Sequence, residues 1–257
     1  MPTTLLHGVP LSQPFRAVAW ACLQKRLPFE IKMVVPGSSR APHGSRSEDY
    51  LRLNPAGTVP LLQDDLVTLA ESPAILTYLA ERHGWDDLYP SDVAGRAAVN
   101  AALHWHHGNT RLLASAYFAP VVRPDLKLSE EMATLHRKTG ARALALLDSM
   151  WLGTSSFVAG RSEPSVADLL IYEEVAQLSP RFTNLLDLSP YPRVEAWLSR
   201  MSALPAHDAA HASLAELGAL GVEHGVPLPE RLSAASKAGF RALVEAQQAY
   251  AGAASKL

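Results

Sequence analysis

Two places along this chain combine residue types that could bind and activate an anion. Ser12 stands just ahead of a helical pattern whose opening turn contains Pro14. Proline suits a first-turn position, so the serine hydroxyl and the unpaired N–H groups of that terminus face one small volume. A thiolate placed there is stabilised by the helix dipole, which lowers a thiol pKa from its usual ~8.5. A serine hydroxyl is a poor proton acceptor near neutral pH, so its part is to donate to sulfur that is already ionised. The same residue could simply cap the helix. At the second place, Glu71-Ser72 opens another helical stretch. There Ser72 and its neighbouring N–H groups can receive a carboxylate while Glu71 pairs with an amino group, although an acid beside an N-cap is also an ordinary helix start.

Other chemistry-bearing types are less productive. Cys22 is the single cysteine, ten residues after Ser12 and well inside the helix; it reads as a buried filler. His104 and His107 share a helix face and flank His106, but neither a third ligand nor an acidic partner is evident, so no metal is expected. Ser165 and Asp168 have capping-box spacing, a structural device in which each side chain satisfies the other's backbone amide.

The elements that must position these residues change texture near residue 85. Before it, TLLH from Thr4, a helix over Gln13 to Arg26 and the alternating FEIKMVV read as β-α-β. A Gly-, Pro- and Ser-rich loop, Pro36 to Arg46, then leads to a short helix over Ser47 to Leu53. Leu61 to Gln63 and Val67 to Leu69 flank Asp64-Asp65 as a hairpin, and a helix from Ser72 to about Arg82 ends at Gly84. A helical crossover makes the first strand pair parallel and the tight hairpin makes the last antiparallel, giving a mixed four-stranded sheet. Beyond the linker from Trp85 to Ser91 the pattern is helical throughout. Helices are expected near Asp92–Tyr117, Ser129–Leu152, Ser165–Leu178, Tyr191–Leu204, His207–Leu217 and Pro229–Ala251.

Composition agrees with this division. Of 257 residues, 40 are Ala and 39 Leu, the two strongest helix formers, and one cysteine excludes an internal disulfide. A formal charge of −2 supplies no basic field for nucleic acid. No apolar run approaches the roughly 20 residues that cross a bilayer, and the N-terminus lacks a secretory pattern, so a soluble protein is expected. The sequence closes on Ser255-Lys256-Leu257, the tripeptide read by the peroxisomal import receptor.

Five strings, in order, resemble the theta-class glutathione transferases: Ser12 to Val18 (SQPFRAV), Asn54 to Pro60 (NPAGTVP), Glu71 to Ile75 with Tyr78-Leu79, Trp85 to Asp92 (WDDLYPSD), and Trp105-His106 with Arg111. The likeness spans residues 4 to about 205. It implies an α/β thioredoxin-like N-terminal domain over residues 1–84 that binds glutathione, an all-α domain over 91–225 that supplies the electrophile site, and a helical extension over 226–257 that covers the pocket. It further implies that Ser12 activates the glutathione thiolate, so that the reactive sulfur belongs to the ligand and not to Cys22. Gln13, Val59 with a cis Pro60, Glu71 and Ser72 would contact glutathione, and His43 or Arg46 would meet its glycyl carboxylate. Arg111 would face the hydrophobic electrophile and a developing anion, or form a structural ion pair. Leu232, Phe240, Leu243 and Val244 fall near helical spacing on the extension, with Glu230, Arg231, Lys237 and Arg241 as solvating residues. Gly108 departs from the family, in which many members hold an acidic residue that reaches the partner subunit's ligand. The function implied is conjugation of glutathione to electrophiles with reduction of organic hydroperoxides, in a homodimer addressed to the peroxisome, or cytoplasmic where the source lacks that organelle. Two alternatives stay open: a non-catalytic binding or assembly subunit of the same fold, and a theta-like dehalogenase.

Overall fold

A computed structural model describes residues 4–254; the Ser255-Lys256-Leu257 signal lies outside the described residues. The first half-domain runs β1 (Thr4–Gly8), α1 (Gln13–Gln24), β2 (Phe29–Met33), α2 (Glu48–Leu53), β3 (Leu61–Gln63), β4 (Thr68–Ala70) and α3 (Ser72–His83). The sheet order is β2-β1-β3-β4, with β1 and β2 parallel and the other two pairs antiparallel. This is the mixed four-stranded, thioredoxin-like sheet expected from the crossover and the hairpin. The helical part follows as α4 (Val93–Gly108), α5 (Arg111–Leu113), α6 (Ala119–Val122), α7 (Glu130–Leu146), α8 (Val166–Ala176), α9 (Pro192–Ser202), α10 (His207–Leu217) and α11 (Leu228–Ala254). Among the described residues no helix is long and apolar enough to cross a membrane.

Two helices bind the halves together. Helix α1 is buried from Phe15 to Leu23 because it is covered by the sheet on one side and by α8 on the other. Helix α8 is buried on every face, so its polar residues must find partners inside. Glu173 does so with Arg16 Nε at 2.6 Å and His211 Nε2 at 2.9 Å. Asp168 accepts from Ser165 N–H and Ser165 Oγ, both 2.9 Å, from Val158 N–H at 2.7 Å and from Trp197 Nε1 at 3.0 Å. The Ser165–Asp168 box is therefore present, and its acid also ties a loop and α9 to the helix start. Burial still pushes the Asp168 carboxyl up to about 6 against these four donors.

Several boundaries differ from the sequence pattern. The helix expected over Asp92–Tyr117 stops at Gly108, where Asn109 leaves helical geometry and its Nδ2 donates to Trp105 O at 2.9 Å. The chain restarts at Arg111 and widens into a π-helical turn at Ala114–Phe118. The helix expected to reach Leu152 likewise ends in a π turn, Leu147–Trp151. Periodicity is blind to such breaks because apolar residues continue on both sides. Strand β2 ends at Met33, before Val35, because the chain there pairs with its own loop: Val35 N–H donates to His43 O at 2.6 Å and Ser45 N–H to Val35 O at 3.0 Å. On α11, Arg231 is not a solvating residue. Its Nη2 donates to Leu217 O and Ala219 O at 2.5 and 2.8 Å, closing the end of α10.

Candidate active site

The strand registers bring the candidate residues to one end of the sheet. Leu61 pairs with His7 on one side and Ala70 on the other, so the residues before β3 lie beside the end of β1 and the start of α3. Val59 and Pro60 therefore neighbour both Val9 and the Glu71-Ser72 pair. The turn that presents Val59 is tightly held: Tyr50 Oη donates to Thr58 O at 2.6 Å and Asn54 Nδ2 to the same oxygen at 2.9 Å. The Val59–Pro60 peptide is cis, as the family resemblance implies, and a second cis peptide, Ala41–Pro42, was not anticipated.

A cavity of about 1000 Å³ opens at this end, between the two halves. Val9, Leu11, Ser12 and Gln13 form one wall; Met33, Val35, Pro36 and Gly57 to Val59 form the next. Arg111, Ala114, Ser115 and Phe118, with residues of α6 and the turn after it, face them, and α11 closes the rim through Leu232, Ser233, Ser236, Lys237 and Phe240. Among the described residues the lining is mostly apolar, with three cations, Arg111, Arg123 and Lys237, and no carboxylate. The extension thus contributes to the cavity wall, and Lys237, read from the sequence as a solvating residue, belongs to its lining.

Ser12 occupies the N-cap of α1 in extended geometry, yet its side chain makes no capping bond. The hydroxyl is left to the cavity, beside the α1 amides. Gln13 is buried, its Nε2 donating to Gln177 Oε1 at 2.6 Å. Arg111 forms the ion pair that was one of its two readings, and it also lines the cavity. Its Nη1 donates to Glu174 Oε1 at 2.6 Å, while its side chain stays 42% exposed on the cavity wall. Glu174 is 1% exposed, and burial holds its carboxyl above the usual range although Arg111 pulls it down.

Glu71 and Ser72 stand at the start of α3, outside the cavity lining. Glu71 is exposed at φ +69°, an unusual value for a residue with a Cβ, and its side chain makes no capping bond. His43 does not line the cavity. It is exposed on the 36–46 loop, and its recorded partner is a main-chain bond to Val35. Arg46 is outside the lining as well, but its side chain lies against Gly57 of the lining: a Cβ there would stand 2.9 Å from its Nη1. Gly57 has φ +62° as well, so the turn requires a glycine twice over. Cys22 is buried and its thiol is pushed up to about 12, which keeps it inert. His106 is buried with Nδ1 2.8 Å from Thr110 Oγ1, at the break after α4. Sequence reading missed Gln177, Glu174, Tyr50 and Arg123. The first two looked like ordinary interior polar residues of a helix, and their role depends on what faces them across the domain boundary.

Residues 6–87 match the family model described as "Glutathione S-transferase, N-terminal domain". Glutathione S-transferase T1 of Arabidopsis thaliana is 30% identical over 244 residues, covering 91% of this chain and 96% of that one. Glutathione S-transferase T2 of the same plant is 33% identical over 213 residues; the match takes in 78% of this chain but only 35% of that longer protein. Among solved structures, human glutathione transferase theta-2, in complex with glutathione and an unknown ligand, superposes with a TM-score of 0.69 at 27% identity, over 95% of this chain and 98% of that one. With the sheet order, the cis turn and the Ser12 cavity in place, these matches settle the relationship: the chain belongs to the theta-class glutathione S-transferase family.

Proposed function

We propose that this protein binds glutathione against the sheet end and uses Ser12 to hold its thiolate for attack on a hydrophobic electrophile. The observation that supports this most directly is the Ser12 hydroxyl, free of any capping bond and facing the same cavity as Arg111. In this reading the peptide backbone of the ligand pairs with Val59, as an added strand. Its γ-glutamyl end meets Glu71 and Ser72, and its glycyl carboxylate meets Arg46. The thiol loses its proton at the α1 terminus, where Ser12 donates to the sulfur anion. Apolar walls and the α11 rim hold the electrophile and exclude water. Arg111 faces the reacting centre and stabilises the negative charge that develops on the leaving group.

Two reactions fit. In conjugation, sulfur bonds to an electrophilic carbon and halide or another anion leaves. With an organic hydroperoxide, sulfur attacks the O–O bond, giving a glutathione sulfenic acid and an alcohol; a second glutathione then yields the disulfide and water. Purified wild type and Ser12→Ala are to be assayed with 1-chloro-2,4-dinitrobenzene and with cumene hydroperoxide, alongside calorimetric binding of glutathione. Loss of this one donor is expected to cost about a hundredfold in kcat while glutathione still binds. A variant as fast as wild type would remove Ser12 from the mechanism, and conjugation without hydroperoxide turnover would remove the second reaction. We further propose a homodimer, checked by sedimentation, and peroxisomal import through Ser255-Lys256-Leu257, checked by imaging a fluorescent fusion with and without that tripeptide.

A further inference from the structure

The two sides of the cavity are supplied by different domains, and one buried chain of hydrogen bonds joins them. Gln13, at the start of α1, donates from Nε2 to Gln177 Oε1 at 2.6 Å. Gln177, just past the end of α8, donates in turn to Glu174, at 3.4 Å to its main-chain oxygen and 3.5 Å to Oε2. The other carboxylate oxygen of Glu174 accepts from Arg111 Nη1 at 2.6 Å. Both ends of this chain, Gln13 and Arg111, line the cavity, whereas the two middle residues are buried behind it. From these contacts we propose that Glu174 is a positioning residue, fixing the Arg111 guanidinium at the cavity wall and, through Gln177, setting its place relative to the Ser12-Gln13 tip.

The neighbouring acid shows why this is more than domain glue. Glu173, one residue earlier on α8, spends both oxygens on Arg16 and His211, all three fully buried and away from the cavity lining. That group already joins α1, α8 and α10. Glu174 points to a cation with a large exposed fraction, whose Nη2 and Nε have no acceptor in the described chain and are free to meet an anion. One guanidinium nitrogen is anchored and the others are presented. An arginine held by a buried carboxylate cannot swing away into solvent, which is what stabilisation of a developing charge requires.

The inference rests on the proposed function, so its test reads glutathione binding separately from turnover. Wild type, Glu174→Gln, Arg111→Ala and the double variant are to be compared by calorimetry with glutathione and by steady-state kinetics with 1-chloro-2,4-dinitrobenzene. Glu174→Gln removes the anchoring charge at nearly constant shape. It should lower kcat about tenfold with KM for glutathione within twofold of wild type, and the double variant should lose no more than Arg111→Ala alone, because both changes act through one guanidinium. Additive losses, or an unchanged kcat in Glu174→Gln, would overturn the assignment while leaving glutathione binding intact; a wild type that binds no glutathione would instead overturn the function. Glu174→Asp keeps the charge but withdraws it by one methylene, and should show the same kcat loss. If neither variant folds, the chain is a structural tie and the assignment is wrong.

Discussion

Among individual residues, Ser12 shows how much a spacing can say. A serine one position before a proline-bearing first turn is as good a cap as it is a donor, and no local rule separates the two. In the structure the capping bond is missing, so the hydroxyl is available to another partner. His43 and Arg46 show the opposite case. Both lie in one loop, and the folded course of that loop, pinned to Val35, places the Arg46 side chain against Gly57. Arg46→Ala should therefore raise KM for glutathione about tenfold, the scale of a lost hydrogen bond to a charged group, whereas His43→Ala should leave it unchanged. Steady-state kinetics at saturating electrophile measure both. Equal effects, or an effect of His43 alone, would return the carboxylate to the histidine.

At the level of elements, the cavity depends on how closely α11 can approach. Gly239 sits where that helix crosses the loop before Ser12: a Cβ there would stand 2.6 Å from Pro10 Cβ and 2.8 Å from Ser213 Cβ. Alanine is the better helix former by about 1 kcal/mol, but overpacking against two rigid neighbours costs about 1–3 kcal/mol, so the clash wins. Gly239→Ala should lower Tm by a few degrees and loosen the cavity rim, seen as a higher KM for the electrophile with KM for glutathione unchanged. A rise in Tm would mean that α11 sits farther out. At the start of α8, Ser165→Ala should cost about 1 kcal/mol in chemical denaturation and leave kcat of the folded protein unaltered. Asp168→Ala should cost considerably more, since it strands two N–H donors from other elements together with the Ser165 pair. The capping box was legible from four residues, but Trp197 and Val158 as its further partners were not, since they come from distant sequence.

Across the whole molecule, burial of neutral histidines sets the acid limit. Burial lowers the pKa of His106 to about 3 and of His207 to about 4, and also lowers those of His7 and His83. In the unfolded chain these rings titrate near ~6.5, so between there and about pH 4 the unfolded state binds more protons. Their neutral-state stability is complete above that range and is lost as pH falls through it. Asp168, raised to about 6, and Glu174, also raised by burial, work in the other direction, their ionisation costing stability as pH rises above the ordinary carboxylate range, but they are two groups against four. Tm should therefore fall on going from pH 7 to 4.5, and His106→Asn should make that fall shallower; a Tm that rises toward pH 4.5 would show that the carboxyls dominate. By itself the sequence determined the mixed sheet and the helical bias that follows it, and marked Ser12 and Glu71-Ser72 as helix starts, because period, punctuation and capping are local signals written in neighbouring residues, whereas Val59-Pro60 was marked by family likeness. Only the tertiary structure decided that Arg46 packs against Gly57, that Lys237 lines the cavity, and that Glu174 and Gln177 join Arg111 to Gln13. Those outcomes depend on side chains brought together from opposite ends of the chain, and no periodicity records which buried acid will meet which arginine.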